Sequence, residues 1–252
     1  MVKNCTRKIV IEILCVFLII ISPFALISAY AENYVMGDMD DDGEITADDG
    51  RIMLRASAQI IKANPKQCAL ADINFDRIIS ASEARKVLRV SAKIEPATNV
   101  AFIYLPFGFE NATVKIENQL DYDIFDEAIA EWNNSETPAE IIQVSNSGHG
   151  YVTSGAFDEP WYGLYTPIKQ KSIWWGRATK FKIELNRTTL DSDADSDDFV
   201  LNVLVHELGH VFCLGDNPSD GNLSIMNHSR DRAGFITPTY DDLVGVNYAY
   251  YE

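Results

Sequence analysis

The chain has 252 residues, and 21 lysines and arginines against 37 aspartates and glutamates give a formal charge of −16. Such an acidic surface repels phosphate backbones, which excludes nucleic acid as a partner and suits calcium sites and solubility. Four cysteines in a chain of this length are too few for a fold stapled by disulfides.

Lys3, Arg7 and Lys8 form a positive head, an apolar run follows from Ile13 to Ser28, and Ala29-Tyr30-Ala31 places small residues where a signal peptidase reads them. The run is shorter than the about 20 residues of a membrane span, and Pro23 interrupts it. Residues 1–31 are therefore expected to be a signal peptide cleaved after Ala31, giving a secreted protein with no stable membrane span. Cys5 and Cys15 leave with it, and Cys68 and Cys213 are read as unpaired thiols.

Residues 37–60 and 71–94 repeat with a period of 34, and ten of the 24 aligned positions are identical. Such self-similarity takes precedence over local readings. The first copy sets oxygen donors Asp38, Asp40, Asp42 and Asp49 at loop positions one, three, five and twelve, with Gly43 at the sixth. The second sets Asp72, Asn74, Asp76 and Glu83 at the same places, with Arg77 instead of the glycine. That spacing wraps six to eight oxygens around one calcium ion at about 2.3–2.6 Å, the backbone carbonyls of Glu44 and Ile78 being the seventh-position ligands. One helix is expected after each loop and no full helix before it. Arg77 makes the second turn harder to satisfy, because a left-handed residue there favours glycine.

The duplicated loop and the repeated Leu54-Arg55 and Leu88-Arg89 pairs resemble a dockerin module of type I-like form, covering about residues 34–95. The resemblance implies a small α module folded around two calcium ions that binds a cohesin on a scaffold protein, as in a cellulosome engaged in polysaccharide breakdown. It marks Ala47, Asp48, Leu54, Arg55, Ala81, Ser82, Leu88 and Arg89 as candidates for cohesin recognition. Ala47-Asp48 and Ala81-Ser82 depart from the Ser-Thr pair of the best-known group.

Residues 96–98 read as a short, proline-marked linker, and residues 99–252 suffice for one domain with its own core. Val100 to Leu105 predicts a strand. Leu120, Ile124, Phe125, Ala128, Ile129 and Trp132 fall on one helical face. Ile141 to Val144 predicts another strand, and Phe181 to Leu185 alternates as a strand with one wet face. The acidic run Asp191–Asp198 is read as a solvated loop in preference to a further calcium site, which stays open. A long helix is expected to start after Asp197 or Asp198 and to hold Val200, Val203, Leu204 and Val211 against the sheet.

That helix carries His206-Glu207-Leu208-Gly209-His210. Histidines four apart project from one helical face and can share a zinc ion. Glu207 between them suits the proton transfer from a zinc-bound water. With Asp216 as third ligand, Ser224-Ile225-Met226-Asn227 as a Met-turn, and Tyr240–Tyr250 as a closing helix, the last fifty residues resemble a matrixin-like metzincin. The resemblance implies a zinc metalloendopeptidase of α+β, layered zincin fold with a mixed sheet and an active-site helix. It assigns one catalytic zinc to His206, His210 and Asp216, and general-base work to Glu207.

Cys213 stands where that family has the glycine that ends the helix, and Gly215 is the candidate to take over the turn. His228 is the fallback ligand and His149 is expected to be a loop residue. With only four histidines, no second, three-histidine zinc is expected. An extended protein or peptide substrate would pair with an edge strand near Trp161–Thr166. The whole reads as a multidomain, secreted peptidase attached to an extracellular scaffold or cell surface. A non-catalytic scaffold component with a structural metal site, and a cell-wall amide hydrolase, stay open at this point.

Overall fold

A computed structural model describes residues 32–171, 176–217, 224–227 and 230–251. The expected signal peptide and His228 lie outside them. Residues 31–252 cluster as one compact unit, an α+β arrangement with seven helices and a mixed five-stranded sheet among the described residues.

The chain enters through β1 (Glu32–Val35), followed by the first acidic loop and α1 (Ala47–Ser57). A short helix the sequence did not mark, α2 (Pro65–Ala71), precedes the second loop, and α3 (Ala81–Ser91) follows it. Asn64 and Gln67 cap α2 reciprocally and Pro65 sits at its start, where its missing N–H is not needed. Its seven residues are too few to display a helical period, which is why only its caps could have announced it. The repeat extends to the backbone. Asp41 and Phe75, Gly43 and Arg77, and Gln59 and Lys93 all have positive φ at matching places. Arg77 thus adopts at φ 64° the left-handed turn that Gly43 makes at 84°.

The strand expected over Val100–Leu105 is β2 (Asn99–Phe102). It joins β1 in an antiparallel pair, Tyr34 opposite Val100, and not the main sheet. Tyr34, Met36 and Leu70 pack with Val100, Phe102 and Val244 in one apolar cluster. The region of the two acidic loops therefore shares a core with the rest of the chain across the 96–98 joint.

The main sheet runs in the order β4-β3-β5-β7-β6, made of β3 (Thr113–Gln119), β4 (Glu140–Val144), β5 (Gly150–Gly155), β6 (Gly163–Gln170) and β7 (Ala178–Asn186). All neighbours are parallel except β6, which runs antiparallel to β7 and ends the sheet. Val114, Ile116, Phe181, Ile183 and Leu185 alternate inward along their strands. They meet α4 (Phe125–Asn133) and α6 (Asp197–Val211). Trp132 is fully buried, and its indole N–H donates to Val205 O at 3.0 Å. Helix α4 begins five residues later than its apolar pattern, since 120–124 form the turn before it.

The acidic run is not one loop. Helix α5 (Arg187–Asp193) reaches into it, and α6 begins at Asp197 behind its cap Ser196. Asp197 and Asp198 occupy the first turn, where the helix dipole favours negative charge. The chain closes with α7 (Tyr240–Tyr250). No helix among the described residues is long and apolar enough to cross a membrane.

Candidate metal centres

The two acidic loops are built alike. Asp49 accepts the N–H of Met39 on one carboxylate oxygen and that of Thr46 on the other, both at 2.8 Å. Glu83 repeats this with Ile73 at 2.8 Å and Ser80 at 2.9 Å. Asp38 accepts Asp41 and Gly43, and Asp72 accepts Arg77. Each loop is thus wound about its first and twelfth side chains, with Asp38, Asp40 and Asp49 converging in one and Asp72, Asp76 and Glu83 in the other. Asp42 and Asp76 accept the N–H of Glu44 and Ile78, which orients those two residues, and Asn74 accepts Asp76 N.

Asp72 offers the sharpest test of fit. Its Oδ1 is sealed from solvent and has no hydrogen-bond partner, an arrangement that is costly unless a cation or proton completes it. Burial raises its pKa to about 6. An oxygen-rich cluster of carboxylates suits a hard cation such as calcium.

Of the recognition candidates, Ala47, Asp48, Leu54 and Arg55 on α1 and Ala81 and Ser82 on α3 are exposed. Leu88 and Arg89 are half-buried, Leu88 lying where a Cβ on Gly50 would strike it and Arg89 pairing with Glu95 at 2.6 Å.

The second kind of centre lies on α6. His206 Nδ1 faces Ile225 O at 2.9 Å, and His210 Nδ1 faces Leu214 O at 2.8 Å. Protons on those nitrogens satisfy the carbonyls and leave both Nε2 lone pairs free. Asp216 Oδ1 lies 3.1 Å from His206 Nε2 and 3.7 Å from His210 Nε2. Burial lowers the His206 pKa to about 4, so near neutrality the contact sets an imidazole lone pair against a carboxylate. Two acceptors so close call for a cation between them, and two nitrogens with one oxygen suit zinc.

Asp216 reaches this place because of how α6 ends. Cys213 N donates to His210 O and Leu214 N to Gly209 O, a Schellman ending with Cys213 in the left-handed position at φ 66°. Gly215, expected to take over that turn, does not; its N–H donates to Ile103 O and a Cβ on it would strike the Ile103 side chain. The Cys213 thiol points at Tyr250 and Phe109 O and belongs to no ligand cluster. Asn217 N then donates to Met226 O, tying the third-ligand segment to the turn beneath the helix.

Met226 sits under Gly209, where any Cβ would overlap its sulfur. Asp242, buried at the start of α7, accepts Ser224 Oγ, Ile225 N, Thr239 N and Thr239 Oγ1. Through Ile225, which orients His206, the closing helix thus fixes an imidazole it does not touch.

Glu207 completes the group. It is buried, and Tyr165 N on the edge strand β6 donates to its Oε2 at 2.8 Å. Burial raises its pKa to about 7, a value matched to proton exchange at neutral pH. Gly163 permits the contact, since a Cβ there would stand 2.7 Å from Glu207 Cγ. Neither Gly163 nor Tyr165 carried a motif in the sequence, because a backbone N–H and a missing side chain leave no chemical signature. His149 stays apart, stacked on Phe109 with Nδ1 accepting from Lys115 N.

The chain matches no model of a known protein family, and no curated protein matches it.

Proposed function

We infer that the protein is a secreted zinc-dependent endopeptidase, similar to matrixin-like metzincins, carried to a cohesin-bearing extracellular scaffold by a dockerin with two calcium ions. The observation that bears most weight is the convergence of His206, His210 and Asp216 beside a buried glutamate held by an edge strand. A purely structural site has no use for a carboxylate poised near neutrality beside its ligands.

His206, His210 and Asp216 would hold the zinc, which when bound acidifies a water and polarises a carbonyl. Glu207 takes the proton of that water on its carboxylate and returns it to the departing amine. The Tyr165 N–H keeps one oxygen of Glu207 fixed and leaves the other for proton exchange. Strand β6, which among the described residues has no partner on its outer edge, receives the substrate backbone as a further strand. The exposed faces of α1 and α3 remain available to a cohesin.

The test is cleavage of an unfolded protein by the zinc-loaded full chain. Glu207→Gln is expected to abolish cleavage while one zinc stays bound. A native protein that cuts no unfolded chain or peptide library, yet binds zinc, would establish the structural role instead. Release of peptides from cell-wall material alone would favour the amide-hydrolase reading.

A further inference from the structure

Helix α6 carries more than the metal ligands. Asn202 lies one turn before His206 on the same face and is fully buried. Its Oδ1 accepts Arg230 Nε at 2.8 Å, while its Nδ2 donates to Phe235 O. Arg230 Nη1 donates to Asn227 O, also at 2.8 Å, one residue past Met226. The Arg230 guanidinium is thereby pinned between α6 and the turn beneath the metal site.

Across α6 stands β6, so close that a Cβ on Gly163 would meet both Glu207 and Val203. Near the start of β6 the Arg232 guanidinium lies 5.2 Å from the Tyr162 ring and 5.8 Å from that of Phe199. The floor formed by Asn202, Val203 and Glu207 therefore has the edge strand on one side and Arg230 on the other.

Among the described residues Arg230 hydrogen-bonds only neutral groups and no carboxylate is in direct contact with it, although Glu207, Asp216 and Asp242 act on its charge from further away. Its Nη2 bonds none of them either and is not sealed from solvent. Holding Asn202 and Asn227 requires N–H donors but no charge. A cation that burial and Arg232 disfavour, and that no carboxylate touches, gains from a direct partner, and a guanidinium fork fits a carboxylate on two parallel bonds.

We propose that Arg230 binds a carboxylate of the substrate beside the scissile bond, so that cleavage is directed next to an aspartate or glutamate. The proposal rests on the peptidase reading above. The carboxylate has two possible sources, an acidic side chain or a free chain terminus, and the geometry favours a side chain because β6 is long enough to bind an extended, continuing substrate.

The experiment uses the zinc-loaded full chain and matched peptides with Glu, Gln, Asp, Asn, Leu or Lys on either side of one cleavable bond, all C-terminally amidated. The ratio of kcat/KM for Glu over Gln is expected to be at least about tenfold at one of the two positions and to collapse in Arg230→Gln. Arg230→Lys is expected to keep part of it, since the charge remains but the fork is lost. A ratio near one in the native protein, or one that survives in a folded Arg230→Gln, overturns the proposal. A preference seen only with free C-terminal carboxylates also overturns the side-chain assignment. Anisotropy of the same labelled peptides on Glu207→Gln reads binding without cleavage. If nothing is cut, the peptidase reading fails, while tighter binding of the Glu peptide still upholds the carboxylate site and equal binding removes it.

Discussion

The two acidic loops and the histidine centre on α6 solve the same problem, holding lone pairs at a point, by opposite means. Each acidic loop takes its candidate ligands from one stretch of twelve residues, and its carboxylates are held by N–H groups of that same stretch. The histidine centre draws on α6, the turn after it, residues 224–227, strand β6 and helix α7, elements that meet only when the whole core has formed. Loops of the first kind can be wound by the ion itself. A centre of the second kind inherits its geometry from packing, and is most vulnerable where the support is remote.

The largest effect therefore falls on a residue that touches no metal. Asp242→Ala removes the acceptor of four hydrogen bonds and frees the turn that orients His206. Zinc affinity, measured by competition with a chromophoric chelator, is expected to fall by about 10–100-fold, the usual consequence of losing outer-shell support. Thermal stability falls as well, since each buried N–H left unpaired costs about 1–3 kcal/mol. Unchanged zinc affinity in a folded Asp242→Ala would show that the centre is held by its ligands alone, as the calcium loops are.

A second prediction compares the loops with each other. Phe75 of the second loop packs on Tyr240 at 5.0 Å, and Tyr240 donates to Ile73 O at 3.5 Å, so this loop abuts the helix that carries Asp242. Its counterpart in the first loop has no such contact among the described residues. Glu83→Gln is expected to lower both the melting temperature and zinc retention more than Asp49→Asn does. Equal losses on both counts would separate the calcium loops from the zinc centre.

Legibility in the sequence followed the same division. The convergence of each acidic loop could be read because a contiguous cluster writes its spacing directly into the chain, and that of His206, Glu207 and His210 because one helix carries them. Asp216 needed a resemblance, since its place depends on how α6 ends. Strands β3 and β5 were missed: the first is flanked by exposed polar residues, and Gly150-Tyr-Val-Thr-Ser-Gly155 has little apolar alternation. Strand β1 is four residues long, too short for a period, and only its partner β2 gives it a place. Gly163, Asn202 and Arg230 were unreadable for a different reason. They matter through closeness to α6 across 28 or more residues, which no local pattern encodes.

A smaller effect concerns pH in the calcium-free protein. Burial holds the folded-state pKa of Asp72 at about 6, above the 3.8 of an ordinary aspartate, so the folded loop holds the proton more tightly than the unfolded chain. The stability this proton provides is full below pH 3.8 and is lost as pH rises through about 6. With calcium chelated, hydrogen-exchange protection of residues 72–83 is expected to decline from pH 5 toward pH 7; with calcium in excess the trend reverses, because the ion takes over from the proton. Protection that rises with pH in the chelated protein would remove Asp72 as the buried, unsatisfied group of the second loop.

The smallest effect is expected at the end of α6, where Cys213 takes a left-handed turn that suits glycine. Cys213 holds a left-handed conformation that disfavours a side chain by roughly 1–2 kcal/mol. Cys213→Gly relieves this, but the buried thiol that contacts Tyr250 and Phe109 O is lost and leaves a small cavity, offsetting about 1 kcal/mol or more of the gain. The two contributions nearly cancel, and since the Schellman bonds run through backbone atoms, Asp216 stays in place. Urea unfolding of the zinc-loaded protein is expected to shift by less than about 1 kcal/mol, with zinc affinity unchanged. A loss of zinc affinity in Cys213→Gly would mean that the side chain, not the turn, directs Asp216 to the metal, and would make this ending of α6 a remote support of the same kind as Asp242.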